Sequence, residues 1–77
     1  MTAIEIITML ARARRPQRLG RPRLAARIGC ARNTLYRWET RRCSPPLDAL
    51  VAWAAALGYR VVLIPIDPPG HAQDPAA

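Results

Sequence analysis

Two apolar stripes crowded against one glycine constrain this chain more than any other feature. Leu24, Ala25 and Ile28 recur at helical spacing and stop at Gly29, and Leu35 with Trp38 opens a new apolar face from about Ala31 onward. Only a few residues remain for the turn between them. Glycine is the residue most at ease in the left-handed conformation that ends a helix, and Pro22 is tolerated in a first helical turn. The pattern predicts two short helices, residues 21–28 and about 31–41, joined by a tight glycine-containing turn.

The flanks extend the helical reading. Thr2-Ala3-Ile4-Glu5 has the form of a capping box, in which the Thr2 hydroxyl accepts from the Glu5 amide and the Glu5 carboxylate reaches back to the Thr2 amide. Ile4, Ile7, Leu10 and Ala11 follow with helical period, Arg12, Arg14 and Arg15 suit a C-terminal dipole end, and Pro16 closes a helix of about residues 3–15. After Ser44-Pro45-Pro46, the stripe Leu47, Leu50, Val51, Ala54 and Leu57 predicts a helix over about 46–57, capped by Gly58. Tyr59 to Ile64 is β-branched or aromatic at most positions and is halted by Pro65, so it is the one good strand candidate. From Asp67 on, proline, glycine and small residues offer nothing to bury; residues 67–77 are expected to be disordered, with His71 solvated. The expectation is an all-α domain of four helices over residues 1–58, a strand over 59–66 and a tail.

A chain of 77 residues has room for one small core and buries only roughly 60–65% of its unfolded surface, which disfavours a large enclosed active site. Its formal net charge is +7 and all 12 basic residues are arginine. That balance points to a polyanion, with nucleic acid favoured over a membrane surface. No uninterrupted apolar run is nearly long enough to span a bilayer, and no signal-peptide pattern opens the chain, so a cytoplasmic, nucleoid-associated protein is expected. Cys30 and Cys43 show neither a CxxC spacing nor clustered histidines; reduced thiols, no metal and no cofactor are expected. Clustered carboxylates and Cys/His pairs are also missing, so no catalysis is expected.

On a helix over residues 31–41, Leu35 and Trp38 share one side while Arg32, Asn33, Tyr36 and Arg37 share the other. One side anchors and the other is free to read. Arginine can fork onto guanine O6 and N7, asparagine onto adenine N6 and N7, and tyrosine can meet a phosphate or a thymine methyl. An ordinary solvated face carries arginines too, and this stretch alone leaves both readings open.

The surrounding pattern resembles the Xre-type helix-turn-helix family of phage Cro and lambda-like repressors, plasmid regulators and bacterial antitoxins. The matching residues are Leu24-Ala25, Ile28-Gly29, Leu35, Trp38-Glu39, Ser44-Pro45, Leu50 and Ala56-Leu57-Gly58, and the likeness covers about residues 4–58. It implies a lambda-repressor-like domain whose third helix enters the major groove of double-stranded DNA, with Arg32, Asn33, Tyr36 and Arg37 reading bases. Arg21, Arg23, Thr34, Arg41 and Arg42 are then the expected phosphate contacts. Arg14 and Glu39 match positions that form a semi-buried ion pair between the first and third helices of such folds. Three positions depart from the family pattern: Arg21 stands where a bracing polar residue, often glutamine, is usual, Ala31 where the third helix has a Ser or Thr cap, and Arg41 where a glycine often ends it.

In a strand, Tyr59, Val61 and Leu63 face one way and Arg60, Val62 and Ile64 the other, which leaves apolar groups on both sides of an unpaired edge. Pairing with the same strand of a second copy resolves this, and "ALGYRVVLIP" looks like the C-terminal strand of HipB-like antitoxins. Tyr59, Val61, Val62, Leu63 and Ile64 are the expected dimer interface; packing on the chain's own helices is the other possibility. The expected function is sequence-specific DNA binding by a homodimeric transcriptional regulator, a repressor on a palindromic operator. An antitoxin that binds a partner toxin and represses its own operon is the alternative.

Overall fold

The structure, a computed structural model, describes residues 2–67. Four helices follow in order, α1 (Ala3–Ala13), α2 (Arg21–Ile28), α3 (Arg32–Glu39) and α4 (Leu47–Ala56). α2 lies against both α3 and α4, and α1 packs on α3. The tail beyond Asp67, including His71, lies outside the described residues.

Local chemistry explains where the helices begin and end. The capping box is formed: the Thr2 amide donates to Glu5 Oε1 at 2.7 Å, and the Glu5 amide donates to the Thr2 hydroxyl at 3.2 Å. α1 stops two residues short of the expected boundary, because Pro16 has no amide to continue the ladder and disfavours helical backbone at Arg15. The chain then reverses through Arg18, which takes a left-handed φ of 53°, while the Leu19 amide bonds the Arg14 carbonyl at 3.2 Å. α2 has its expected bounds, and Gly29 ends it with φ 88°.

α3 is shorter than expected at both ends. Its Ala31 cap offers no side-chain acceptor. The other end closes in a Schellman turn: the Arg41 amide bonds the Trp38 carbonyl at 3.1 Å and the Arg42 amide the Arg37 carbonyl at 2.8 Å, with Arg41 itself at φ 63°.

The core joins all four helices through Ile7 and Leu10 of α1, Leu24 and Ala25 of α2, Leu35 and Trp38 of α3, and Trp53, Ala54 and Leu57 from α4 and its cap. Leu19 completes it from the first connection. Trp38 and Trp53 stack obliquely, with ring centroids 5.9 Å apart and a 33° tilt. The Gln17 side-chain amide donates to the Leu57 carbonyl at 2.9 Å, which occupies one of the carbonyls a helix end leaves free.

Two expected stripes need correction. Ile4 is exposed at the start of α1, and in α4 Leu47 and Val51 point outward, 71% and 47% exposed, while Trp53 is fully buried. α4 is apolar almost all round, so period alone cannot choose its inner face; the set Leu50, Trp53, Ala54 and Leu57 brings in the largest side chain and wins.

Residues 59–66 adopt no regular secondary structure. A ladder needs a second strand, and none is present among the described residues of a single chain. Exposure along the segment does not alternate: Tyr59 is 50% exposed, Val61 46%, Val62 56%, Leu63 96% and Ile64 78%. Tyr59, Val61 and Val62 form one wall of an apolar groove of about 220 Å³ whose other walls include Ile6, Met9 and Leu50.

Candidate nucleic-acid interface

α3 is set by what it buries. Leu35 and Trp38 are in the core, so the opposite side of this eight-residue helix must face outward. Arg32, Asn33, Tyr36 and Arg37 all lie there and are exposed, and Thr34 is half-buried at the edge. Arg23 on α2 and Arg41 and Arg42 after α3 are also exposed. Gly29 and the one extended residue Ala31 give the turn that seats α3 across α2; the Cys30 amide bonds the Ala25 carbonyl at 3.0 Å.

Beneath this face is a charged cluster. The Glu39 side chain is only 3% exposed and accepts from Arg14 Nε at 2.8 Å and Arg14 Nη2 at 3.1 Å. The two-pronged contact is the expected bond between α1 and α3. Arg14 also donates through Nη1 to the Leu19 carbonyl at 3.3 Å, so all three of its nitrogens are engaged.

Glu39 has a second partner that sequence reasoning missed. Arg21 Nε donates to Glu39 Oε1 at 2.7 Å, and the Arg21 guanidinium carbon lies 5.0 Å from the centre of the Tyr36 ring. Arg21 therefore braces α3 from the start of α2, joining one residue of the outward face to the buried carboxylate. The expectation for Arg21 was a phosphate contact; its Nε and its face are occupied within the protein, while its side chain remains 37% exposed. The available signal was its place at the start of α2, where the family puts a bracing residue. Nothing local in the sequence links two residues that are 18 positions apart.

Burial raises the pKa of the Cys30 thiol, which keeps it protonated and a poor nucleophile. Cys30 and Cys43 are both free thiols. No cluster of His, Cys, Asp and Glu that fits a metal ion occurs among the described residues. No helix among them is long and apolar enough to cross a membrane.

A short helix with an anchored apolar side and a free Arg/Asn/Tyr/Arg side, presented across a glycine turn by a second helix, defines a helix-turn-helix DNA-binding regulator. The family model described as helix-turn-helix matches residues 10–64, well over half of the chain. The protein belongs to that family, the Cro/C1-type or Xre-like helix-turn-helix proteins. No curated protein and no solved structure matches it.

Proposed function

We propose that the protein is a sequence-specific transcriptional repressor that binds a palindromic operator in double-stranded DNA as a homodimer, without catalytic activity and in the cytoplasm. The observation that carries this reading is the outward side of α3, where Arg32, Asn33, Tyr36 and Arg37 are exposed together while the same helix is anchored by Leu35 and Trp38. Arg32, Asn33 and Arg37 supply the hydrogen-bonding groups for base edges, and Arg23, Thr34, Arg41 and Arg42 the phosphate contacts that set register. The homodimer is supported by the run from Tyr59 to Ile64, whose apolar side chains are 46–96% exposed in one chain. A two-fold dimer places its reading helices in half-sites about 34 Å apart, and occupying a promoter in this way blocks it.

The test is selection from random double-stranded DNA, with the Arg32→Ala/Arg37→Ala variant alongside. The expected result is a two-fold palindrome that the variant fails to enrich. Equal enrichment by both proteins would overturn the reading. The same exposed apolar run favours a second reading, an antitoxin whose main work is binding a toxin protein. A protein that stays monomeric alone and forms a one-to-one complex with a co-purified partner would support that alternative.

A further inference from the structure

The ends of α1 and α3 and the start of α2 enclose a cleft of about 340 Å³ lined by Arg12, Arg14, Arg15, Arg21, Glu39 and Thr40. Four guanidinium groups face a single carboxylate there. Glu39 is saturated by Arg14 and Arg21, and those two cations are held in place by that contact. Arg12 and Arg15 are exposed, and neither side chain has a hydrogen-bond partner among the described residues. Like charges gathered around a partly enclosed space repel one another, and an anion between them relieves that repulsion.

We infer that this cleft seats a phosphate group of the DNA backbone, held by Arg12 and Arg15, with the Arg14–Glu39–Arg21 cluster as its rigid floor. The inference rests on the DNA-binding reading and adds a contact to it. The DNA backbone is the source because the cleft is continuous with the reading side of α3: Arg21 lines the cleft and lies over Tyr36, and Thr40 lines it one turn beyond Tyr36. A helix C-terminus also attracts arginines through its dipole, which gives Arg12 and Arg15 a purely structural role as the competing explanation. That role affects stability and leaves the salt dependence of DNA binding alone.

The experiment measures operator affinity against salt concentration for the wild type, for Arg12→Ala/Arg15→Ala, and for Arg18→Ala/Arg27→Ala, which removes equal charge outside the cleft. Circular dichroism confirms that each variant is folded. The expected result is a log–log salt slope shallower by about 1.8 in the cleft variant, about 0.9 for the one phosphate held by each protomer of the operator-bound dimer, with cognate and random duplexes weakened alike. The second arm, without DNA, compares thermal midpoints in inorganic phosphate and in chloride at equal ionic strength. An unchanged slope together with a phosphate-dependent rise in midpoint that the cleft variant loses would assign the cleft to a free anion and overturn the backbone contact. An unchanged slope without such a rise, or an equal loss of slope in the control variant, would overturn the site altogether. A slope near zero in the wild type itself would remove the DNA-binding reading and the contact with it, and so differs from failure of the cleft alone.

Discussion

Glu39 is the residue on which most of the polar architecture converges. Its side chain is 3% exposed and its two oxygens hold Arg14 and Arg21, so replacing it strips the counter-charge from both cations, of which Arg14 is only 15% exposed. Glu39→Gln is expected to cost about 3–5 kcal/mol, read as a lower urea midpoint with little change in the slope of the transition. Arg21→Ala is expected to cost less, roughly 0–1 kcal/mol, because the Arg21 side chain is 37% exposed and water screens its bond. Its effect falls on recognition instead, through the freed Tyr36 ring. At the exposed positions the opposite division holds: Arg37→Ala and Asn33→Ala are each expected to leave the melting midpoint in place and to weaken the cognate site by about 1–3 kcal/mol while relaxing one base pair of the selected sequence. Unchanged cognate binding by Arg37→Ala would mean that α3 does not meet DNA through this side.

At the scale of the element, α3 is an eight-residue helix with a poor residue at both ends. Ala31 cannot accept from the first free amides, and Arg41 holds a left-handed φ of 63° that costs a side-chain-bearing residue roughly 1–2 kcal/mol. Ala31→Ser is expected to add about 1 kcal/mol of stability, and Arg41→Gly up to about 1 kcal/mol once the extra chain entropy of glycine is subtracted. Each corresponds to a rise in melting temperature of roughly 4–8 °C for a domain of this size, measured by thermal denaturation. Arg41→Gly should also weaken DNA binding, since it removes a candidate phosphate contact while it relaxes the backbone. The two ends show what was legible in the sequence. Breakers and caps act within a few residues, so Thr2/Glu5, Pro16, Gly29 and Gly58 marked the helices to within about two positions. The inner face of α4 was not legible, because a helix that is apolar all round is oriented by the shape of the core and by Trp53. Arg18 also escaped the reading, since its left-handed φ of 53° contradicts local preference and is imposed by closure of the turn into Leu19.

For the whole molecule, the unresolved demand is the apolar surface of residues 59–66. Leu63 is 96% exposed, Ile64 78% and Ile66 71%, beside a groove already walled by Tyr59, Val61 and Val62. The Arg14–Glu39 and Arg21–Glu39 pairings were set by helix crossings, and only the first had a family precedent; Leu63, Ile64 and Ile66 stay 71–96% exposed and lack a covering neighbour in the single chain. In the proposed homodimer a second copy would supply one, because antiparallel pairing about a two-fold axis would satisfy both the backbone edge and the side chains. The substitution Leu63→Glu separates the proposed dimer from the fold of the monomer, since a side chain so exposed contributes little to the chain's own core. The expected outcome is a wild-type protein that sediments at twice 8.5 kDa and a variant that sediments at 8.5 kDa with its helical circular dichroism intact. With one half-site per protein, the variant should keep its base preference, lose most operator affinity and show about half the wild-type salt slope, since the number of phosphates neutralised per binding event is halved. A variant that still sediments as a dimer would place the interface elsewhere, on the exposed Leu47 and Val51 of α4 or at the start of α1. A wild type that remains monomeric at micromolar concentration and binds a single half-site would remove the palindrome from the proposed function and leave the reading face of α3 intact.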